Sequence, residues 1–204
     1  MRILTAAQMR QAEAEAVAKG TSYEQLMENA GAAAAAAIES IAQGAKMAKS
    51  LLLLCGKGNN AGDAFVVARL LAAKGWAVQV VLLLGDGFSP LARLNYDRMP
   101  TQVKRMTLEQ ADFAAAVLVD GVFGTGFRGA LPAVVAAAMR KANEAETVRV
   151  ALDLPTGLDC DTGEADADTF QAEHTITFGA LKPGLVVPGG APFCGQVQVA
   201  DIGL

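Results

Sequence analysis

Short, largely apolar runs alternate along this chain with segments whose apolar residues recur at helical spacing. The runs lie at residues 50–55, 77–84, 115–119 and 148–152. Strands that are apolar on both sides are typical of parallel sheets buried between helices. The pattern therefore predicts an α/β protein with an open, mainly parallel sheet and helices on both of its faces.

Capping signals place the helices between these runs. Thr5 and Gln8 form a capping-box pattern, and a second such pattern begins at Ser22, so two helices precede the first strand. These are extra to a minimal doubly wound fold, and the sequence leaves open whether they pack on the sheet or on another subunit. A further helix is predicted at 62–74, and two short β segments are predicted in the tail, at 174–178 and 196–200.

Composition narrows the class of protein. The length of 204 residues suits one domain, 1–204, and the net charge of −4 argues against nucleic acid as a partner. The longest uninterrupted run of small apolar residues, the alanines at 32–37, is too short to span a bilayer. The N-terminus lacks the apolar segment of a signal peptide. Three widely spaced cysteines indicate a reducing compartment. We expect a soluble cytoplasmic protein with no membrane partner.

Polar side chains follow three of the predicted strands directly. The carboxyl ends of parallel strands lie along one edge of a sheet, and ligands bind in the crevice above that edge. These side chains carry carboxylate, amide or hydroxyl oxygens, which suit an oxygen-liganded cation or a hydroxyl-rich ligand better than zinc. The converging set is Asn59, Asn60, Asp63, Asp120, Asp153 and Thr156.

The glycine turn after the first strand matches the dinucleotide fingerprint G-x-G-x-x-G/A at Gly56–Ala61. Asp86 follows about 25 residues later, where a ribose-binding acid would stand. A conventional NAD-dependent oxidoreductase therefore remains an open alternative on this motif alone. The turn lacks the Lys-Ser or Lys-Thr of a Walker A loop.

Several motifs in a fixed order resemble the YjeF N-terminal domain family, which includes the NAD(P)H-hydrate (NAD(P)HX) epimerases. The resemblance covers essentially the whole chain, and ordered motifs are far more specific than any one of them. The matching segments are 26–31 (LMENAG), 56–63 (GKGNNAGD), 120–126 (DGVFGTG), 152–158 (LDLPTGL), 175–182 (TITFGALK) and 200–203 (ADIG).

The resemblance implies a Rossmann-like three-layer αβα sandwich and an isomerase that interconverts the R and S forms of hydrated NADH and NADPH. It also implies a homodimer and a functional partnership with an ATP/ADP-dependent NAD(P)HX dehydratase, separate or fused. No redox cofactor is needed, because the damaged dinucleotide is itself the substrate. The alternative within the family is a non-catalytic nucleotide-binding or dimerisation module.

Site residues carry over motif by motif. The resemblance implies a potassium ion held by Asn60, Asp120 and Thr156, and Asp153 as the acid and base of catalysis with Lys182 as a second candidate. The substrate site it implies consists of Asn59, Asn60, Ala61, Gly62, Asp63, Gly124, Thr125, Gly126, Phe127, Arg128, Gly129, Ala130 and Asp153.

This chain departs from the family pattern at a few positions. Ala61 and Ala64 replace two glycines, and each added methyl group would be strained at a left-handed backbone position or would crowd a ligand. Glu13 stands where the family often has aspartate, and Thr156 stands where serine is common. None of these changes removes a polar ligand.

Overall fold

The computed structural model describes residues 2–204 and builds them from six α-helices, a short 3-10 helix and seven strands. In chain order the elements are α1 (Ala6–Ala18), α2 (Tyr23–Gly44), β1 (Ser50–Cys55), α3 (Asn59–Ala73), β2 (Ala77–Leu82), α4 (Pro90–Asp97), β3 (Lys104–Met106), β4 (Val117–Gly121), α5 (Ala133–Asn143), β5 (Val148–Leu152), β6 (His174–Phe178), α6 (Pro183–Val186), the 3-10 helix (Ala191–Phe193) and β7 (Gln196–Ala200).

All seven strands form one parallel sheet in the order β3-β2-β1-β4-β5-β6-β7. The strand order reverses between β1 and β4, where Leu54 pairs with Asp120 and Cys55 with Gly121. A reversal of this kind opens a crevice at the carboxyl ends of the two strands. The predicted Rossmann-like fold is confirmed, and the two tail segments are confirmed as strands β6 and β7.

The two faces of the sheet carry separate cores, as the uninterrupted apolar runs predict. In β1, Leu51 and Leu53 pack with α2, α3 and α4, whereas Leu52 and Leu54 pack with α5 on the other face. All four leucines are completely buried. The sheet with its two helical layers gives the three-layer sandwich.

Helix α1 lies on neither face of the sheet. Ala6, at its start, belongs to a small third core with Leu154, Leu158 and Leu185, beyond the carboxyl ends of the strands. The segment before α1 pairs with the chain after β6 through a bridge between Ile3 and Leu181. The two N-terminal helices therefore have different places: α2 covers the sheet, and α1 covers the strand ends.

Helix α3 begins at Asn59, three residues before the predicted start, because Gly58 serves as its N-cap. Ala61 and Ala64 consequently lie inside a right-handed helix, and both are fully buried. Neither occupies the left-handed region, which among residues 2–204 contains only Lys46 and Asp153 besides glycines. The two alanines therefore neither strain the backbone nor project into the crevice.

Within the described chain, no helix combines the length and the apolar character needed to cross a membrane.

The methyl group of Ala64 occupies space that Gly121 leaves open. A Cβ added at Gly121 would lie 2.6 Å from the Cβ of Ala64. We expect Gly121→Ala to lower the free energy of unfolding by about 1–3 kcal/mol, the usual cost of overpacking. Adding Ala64→Gly should recover part of that loss, although glycine inside a helix itself costs about 1 kcal/mol. Urea unfolding of both single variants and the double variant measures this coupling.

Gly87→Ala is the matched control, because a Cβ at Gly87 meets nothing within 4 Å. Strictly additive losses in the double variant would contradict the packing of Ala64 against Gly121.

Candidate active site at the carboxyl end of the sheet

A cavity of about 510 Å³ lies above the reversal point between β1 and β4. Its walls come from α1, α2, the glycine turn, the first turn of α3, the loop after β4 and the ends of β5 and β6. Nine of the predicted site residues line it: Asn59, Asn60, Asp63, Gly124, Thr125, Gly126, Phe127, Asp153 and Lys182.

The other predicted residues lie beside the cavity. Ala61 is buried in the core, and Gly62 packs against Met27 and Ala92. Asp120 and Thr156 lie beneath the floor and are almost fully buried. The remaining segment, 128–130, continues past the cavity mouth without lining it.

The glycine turn and the loop after β4 approach each other closely. A Cβ at Gly56 would lie 2.4 Å from the carbonyl oxygen of Val122, so only glycine fits there. Ser89 fixes the turn from the other side: its hydroxyl donates to Asn59 Oδ1 and its N–H donates to the Lys57 carbonyl. No side chain caps the N-terminus of α3, which opens towards the cavity and favours negative charge.

Asp120 is the centre of a buried polar network beneath the cavity. Its carboxylate accepts hydrogen bonds from the Val122 N–H, the Thr156 N–H and the Thr156 hydroxyl. The Thr156 Oγ1 in turn accepts from the Phe123 N–H, and Asn60 Nδ2 donates to the Phe123 carbonyl. One buried carboxylate thus connects the ends of β4 and β5 with the first turn of α3.

Two features of this network leave it electrostatically incomplete. Burial raises the pKa of Asp120 to about 6, although its hydrogen bonds with Thr156 and Val122 act in the opposite direction. Asn60 Oδ1 is buried and receives no hydrogen bond from residues 2–204. A cation with a preference for oxygen ligands would satisfy both groups, so the residues fit such an ion. Residues 2–204 contain no cluster of three His, Cys, Asp or Glu side chains able to hold a metal.

Asp153 follows β5 with a backbone φ of 65°, an uncommon conformation for a residue with a side chain. Its N–H donates to the Ile176 carbonyl, which fixes it to β6. Its Oδ1 accepts from Lys182 Nζ at 2.5 Å and, at 3.4 Å each, from the Thr177 hydroxyl and the Phe178 N–H. No donor among residues 2–204 bonds to Oδ2, which lies near Gly124 at the cavity.

Lys182 is completely buried, and all three donors of its ammonium group form hydrogen bonds. It donates to Asp153 Oδ1, to the Thr177 hydroxyl and to the Phe178 carbonyl. An ammonium has only three donors. Lys182 therefore acts on the site through Asp153, by holding that carboxylate in place.

Glu13 was not predicted as a site residue, yet it lines the cavity from α1. Burial raises its pKa, and the negative charge of Asp153 acts in the same direction. Burial also raises the pKa of Asp63 well above its usual range, with further contributions from Asp153 and Glu13. Three carboxyl groups from three different elements thus share one cavity. In the sequence, the one sign that Glu13 belongs to the cavity was its position, where the family often has aspartate.

Arg128 fastens the loop after β4 to α1. Its guanidinium pairs with Asp159 at 2.5 Å and with Asp161 at 2.7 Å, and Asp161 also accepts from the Ala6 N–H at the start of α1. Phe123 and Phe127 stack within this loop, with ring centroids 5.4 Å apart, and form an apolar wall of the cavity. The aromatic wall and the helix that covers it are therefore positioned together.

Asp86, the candidate ribose-binding acid, lies outside the cavity. Its side chain is 82% exposed and pairs with Arg93 at 3.8 Å. The observation removes the main support for a conventional oxidoreductase.

The fold and the cavity define a Rossmann-like α/β protein with a cavity at the reversal of strand order. The family model described as YjeF-related protein N-terminus matches residues 23–184. The chain belongs to this family, as the ordered motifs predicted.

Relatives fall into two groups. The NAD(P)H-hydrate epimerase of Rhodopirellula baltica is 39% identical over 186 residues, covering 88% of this chain and 75% of that protein. The enzyme of the same name from Cenarchaeum symbiosum is 36% identical, covering 97% of this chain and 93% of its own length. The bifunctional NAD(P)H-hydrate repair enzyme Nnr of Moorella thermoacetica is 42% identical, and the match covers 88% of this chain but only 36% of that protein.

A solved structure supports the fold independently. The crystal structure of yeast ynu0 (YNL200c) superposes with a TM-score of 0.77 at 20% identity, covering 90% of this chain and 83% of that one.

We expect Lys182→Met to reduce stability strongly, because it leaves the mostly buried Asp153 carboxylate without its charged partner. Removing one member of a buried pair costs about 3 kcal/mol or more. Lys104→Met, at an exposed position on β3, is the matched control and should change little. Chemical denaturation at neutral pH measures both variants. Equal stability of the two would show that the Asp153 contact contributes nothing to folding.

Proposed function

We propose that this chain is an NAD(P)H-hydrate epimerase. Asp153 carries the proposal: it lines the cavity, Lys182 donates to its Oδ1, and no donor among residues 2–204 bonds to its Oδ2. Relatives of similar length bear the name of this activity, and the site offers the proton-transfer chemistry that it requires.

The reaction inverts one hydroxyl-bearing carbon of the reduced nicotinamide ring. The lone pair of the ring nitrogen forms a double bond to that carbon as the hydroxyl leaves, and a proton converts the leaving group to water. Water then adds to the opposite face and loses a proton. Each step requires a group within hydrogen-bonding distance that gives or takes a proton, and Asp153 meets this need through Oδ2.

The cavity walls suit the rest of the dinucleotide. The uncapped N-terminus of α3, with Asn59 and Asn60, favours an anionic group such as a pyrophosphate. Gly124, Thr125 and Gly126 allow close approach of the backbone, while Phe127 offers an apolar surface. Arg128 supports this loop through its ion pairs, and we assign the neighbouring Gly129 and Ala130, like Ala61 and Gly62, a backbone role in the site.

Potassium is the proposed cofactor, with Asn60, Asp120 and Thr156 as its protein ligands. The unsatisfied Asn60 Oδ1 and the buried Asp120 support this assignment. A bound monovalent cation would supply positive charge beside the reacting dinucleotide and would fix the loop after β4. Asn60, Asp120 and Thr156 would hold the ion, while Asp153 would transfer the proton.

We further propose a homodimer in the cytoplasm that works with an ATP/ADP-dependent NAD(P)HX dehydratase. The bifunctional repair enzymes among the relatives support such a partnership, since this chain matches only about a third of the Moorella protein. A non-catalytic binding or dimerisation module is the alternative. Asp153, Lys182 and the complete set of oxygen ligands favour the enzyme.

The test of the activity uses the purified chain and an excess of dehydratase specific for the S form. With potassium present, we expect the R form of hydrated NADH to be consumed and NADH recovered. Asp153→Asn should lower kcat by about 100-fold or more, because the amide cannot accept the proton. Asp86→Asn, outside the cavity, should behave like the wild type. Persistence of the R form with wild-type protein would refute the proposed activity.

Potassium binding is testable without turnover. A ligand specific for the native state raises stability, by about 2.7 kcal/mol at 100 times its Kd. We expect a higher Tm in potassium chloride than in choline chloride at equal ionic strength. Asn60→Ala and Thr156→Val should abolish that difference, whereas the neighbouring Asn59→Ala should retain it. An equal response of all four proteins would argue against this ion site.

A further inference from the structure

The proposed epimerisation requires proton transfer on two faces of one carbon. A hydroxyl leaves one face with a proton delivered to it, and water adds to the other face with a proton removed from it. A single carboxyl group on one side of the ring serves one of these events directly. The following inference rests on the proposed function and concerns the group that serves the other face.

Asp63 enters the cavity from the first turns of α3, whereas Asp153 enters from the end of β5. Only 9% of Asp63 is exposed, and what is exposed faces the cavity. No hydrogen bond or ion pair with the described chain engages its carboxyl group, and only burial and charge perturb it. A buried carboxyl group with no protein partner is available to a ligand.

The charges that face Asp63 oppose its ionisation. Asp153 and Glu13 face it with negative charge, and the ammonium of Lys182 is already bonded to Asp153. Burial is the largest cause that raises the pKa of Asp63. Two carboxyl groups in one site with different environments are the usual basis of an acid and base pair.

We propose that Asp63 is a second catalytic residue, which protonates the departing hydroxyl while Asp153 Oδ2 accepts the proton of the incoming water. The carbon–oxygen bond breaks as its electron pair goes to the leaving oxygen, and the ring nitrogen forms the carbon–nitrogen double bond. Water adds to the other face, and the double bond returns its electrons to nitrogen. One proton is given and one is taken. After one turnover Asp63 is a carboxylate and Asp153 carries the proton, which is the state that catalyses the reverse epimerisation. Before a further forward turnover, Asp153 gives its proton to water and Asp63 takes one from water after the product has left the cavity.

Glu13 is then a positioning residue. Its negative charge on α1 opposes ionisation of Asp63 and so keeps the proton available. Removing that charge lowers the pKa of Asp63. Since a general acid acts only while protonated, the alkaline fall in activity should begin at a lower pH in Glu13→Gln. Glu13→Asp keeps the charge and should keep the wild-type profile.

Asp63→Asn is the first test. We expect kcat to fall by about 100-fold or more with little change in KM, because the amide cannot donate a proton of the same acidity. The Tm should not fall, since a neutral amide replaces a buried carboxyl group that has no protein partner. Asp86→Asn is the matched control with wild-type kcat. Wild-type kcat in Asp63→Asn would overturn the inference and leave the proposed epimerase intact.

A second test needs no turnover. Carbon-13 NMR of the aspartate carboxyl groups, assigned with Asp63→Asn, should show Asp63 titrating well above the usual aspartate range and at a lower pH in Glu13→Gln. An ordinary aspartate titration for Asp63, or an unchanged one in Glu13→Gln, would overturn the inference. A wild-type chain without epimerase activity would overturn the proposed function, and this inference with it.

Discussion

A single buried carboxylate, Asp120, holds the working end of this fold together. Among residues 2–204 no ion pair engages it, and the groups that donate to it come from the loops after β4 and β5. Through Thr156 and Phe123 its influence extends to Asn60 on α3. Burying such a charge is costly unless it is hydrogen-bonded or paired. Loss of any one of these hydrogen bonds would leave a buried polar group without a partner. Together they hold the loop after β4, the loop after β5 and the start of α3 in fixed positions.

Much of the fold was predictable, because strands of a parallel sheet that are buried on both faces consist of consecutive apolar residues. Leu51–Leu54 is apolar at every position, since each face of β1 meets a helical layer. The places of Asp120 and Asp153 at one edge of the sheet were predictable, because Asp120 lies at the end of β4 and Asp153 directly follows β5. The start of α3 was placed three residues late, since a glycine N-cap gives a weaker signal than serine or threonine.

The position of α1 was not predictable, because contacts between distant parts of the chain determine it. The hydrogen bond from the Ala6 N–H to Asp161 joins residues 155 positions apart. Glu13 reaches the cavity only because of that placement. The strain or ligand crowding expected at Ala61 and Ala64 could not be judged from the sequence either, because it depends on tertiary structure. Helix α3 includes both residues, and Gly121 leaves room for the Ala64 methyl group.

The bridge between Ile3 and Leu181 couples the beginning of the chain to the residue next to Lys182. Helix α1 buries only three of its own residues, Ala6, Met9 and Ala16, yet Met9 and Glu13 line the cavity. Unfolding of α1 would therefore remove one wall of the cavity. A ligand bound in the cavity should therefore slow amide hydrogen exchange in α1, far in sequence from the glycine turn.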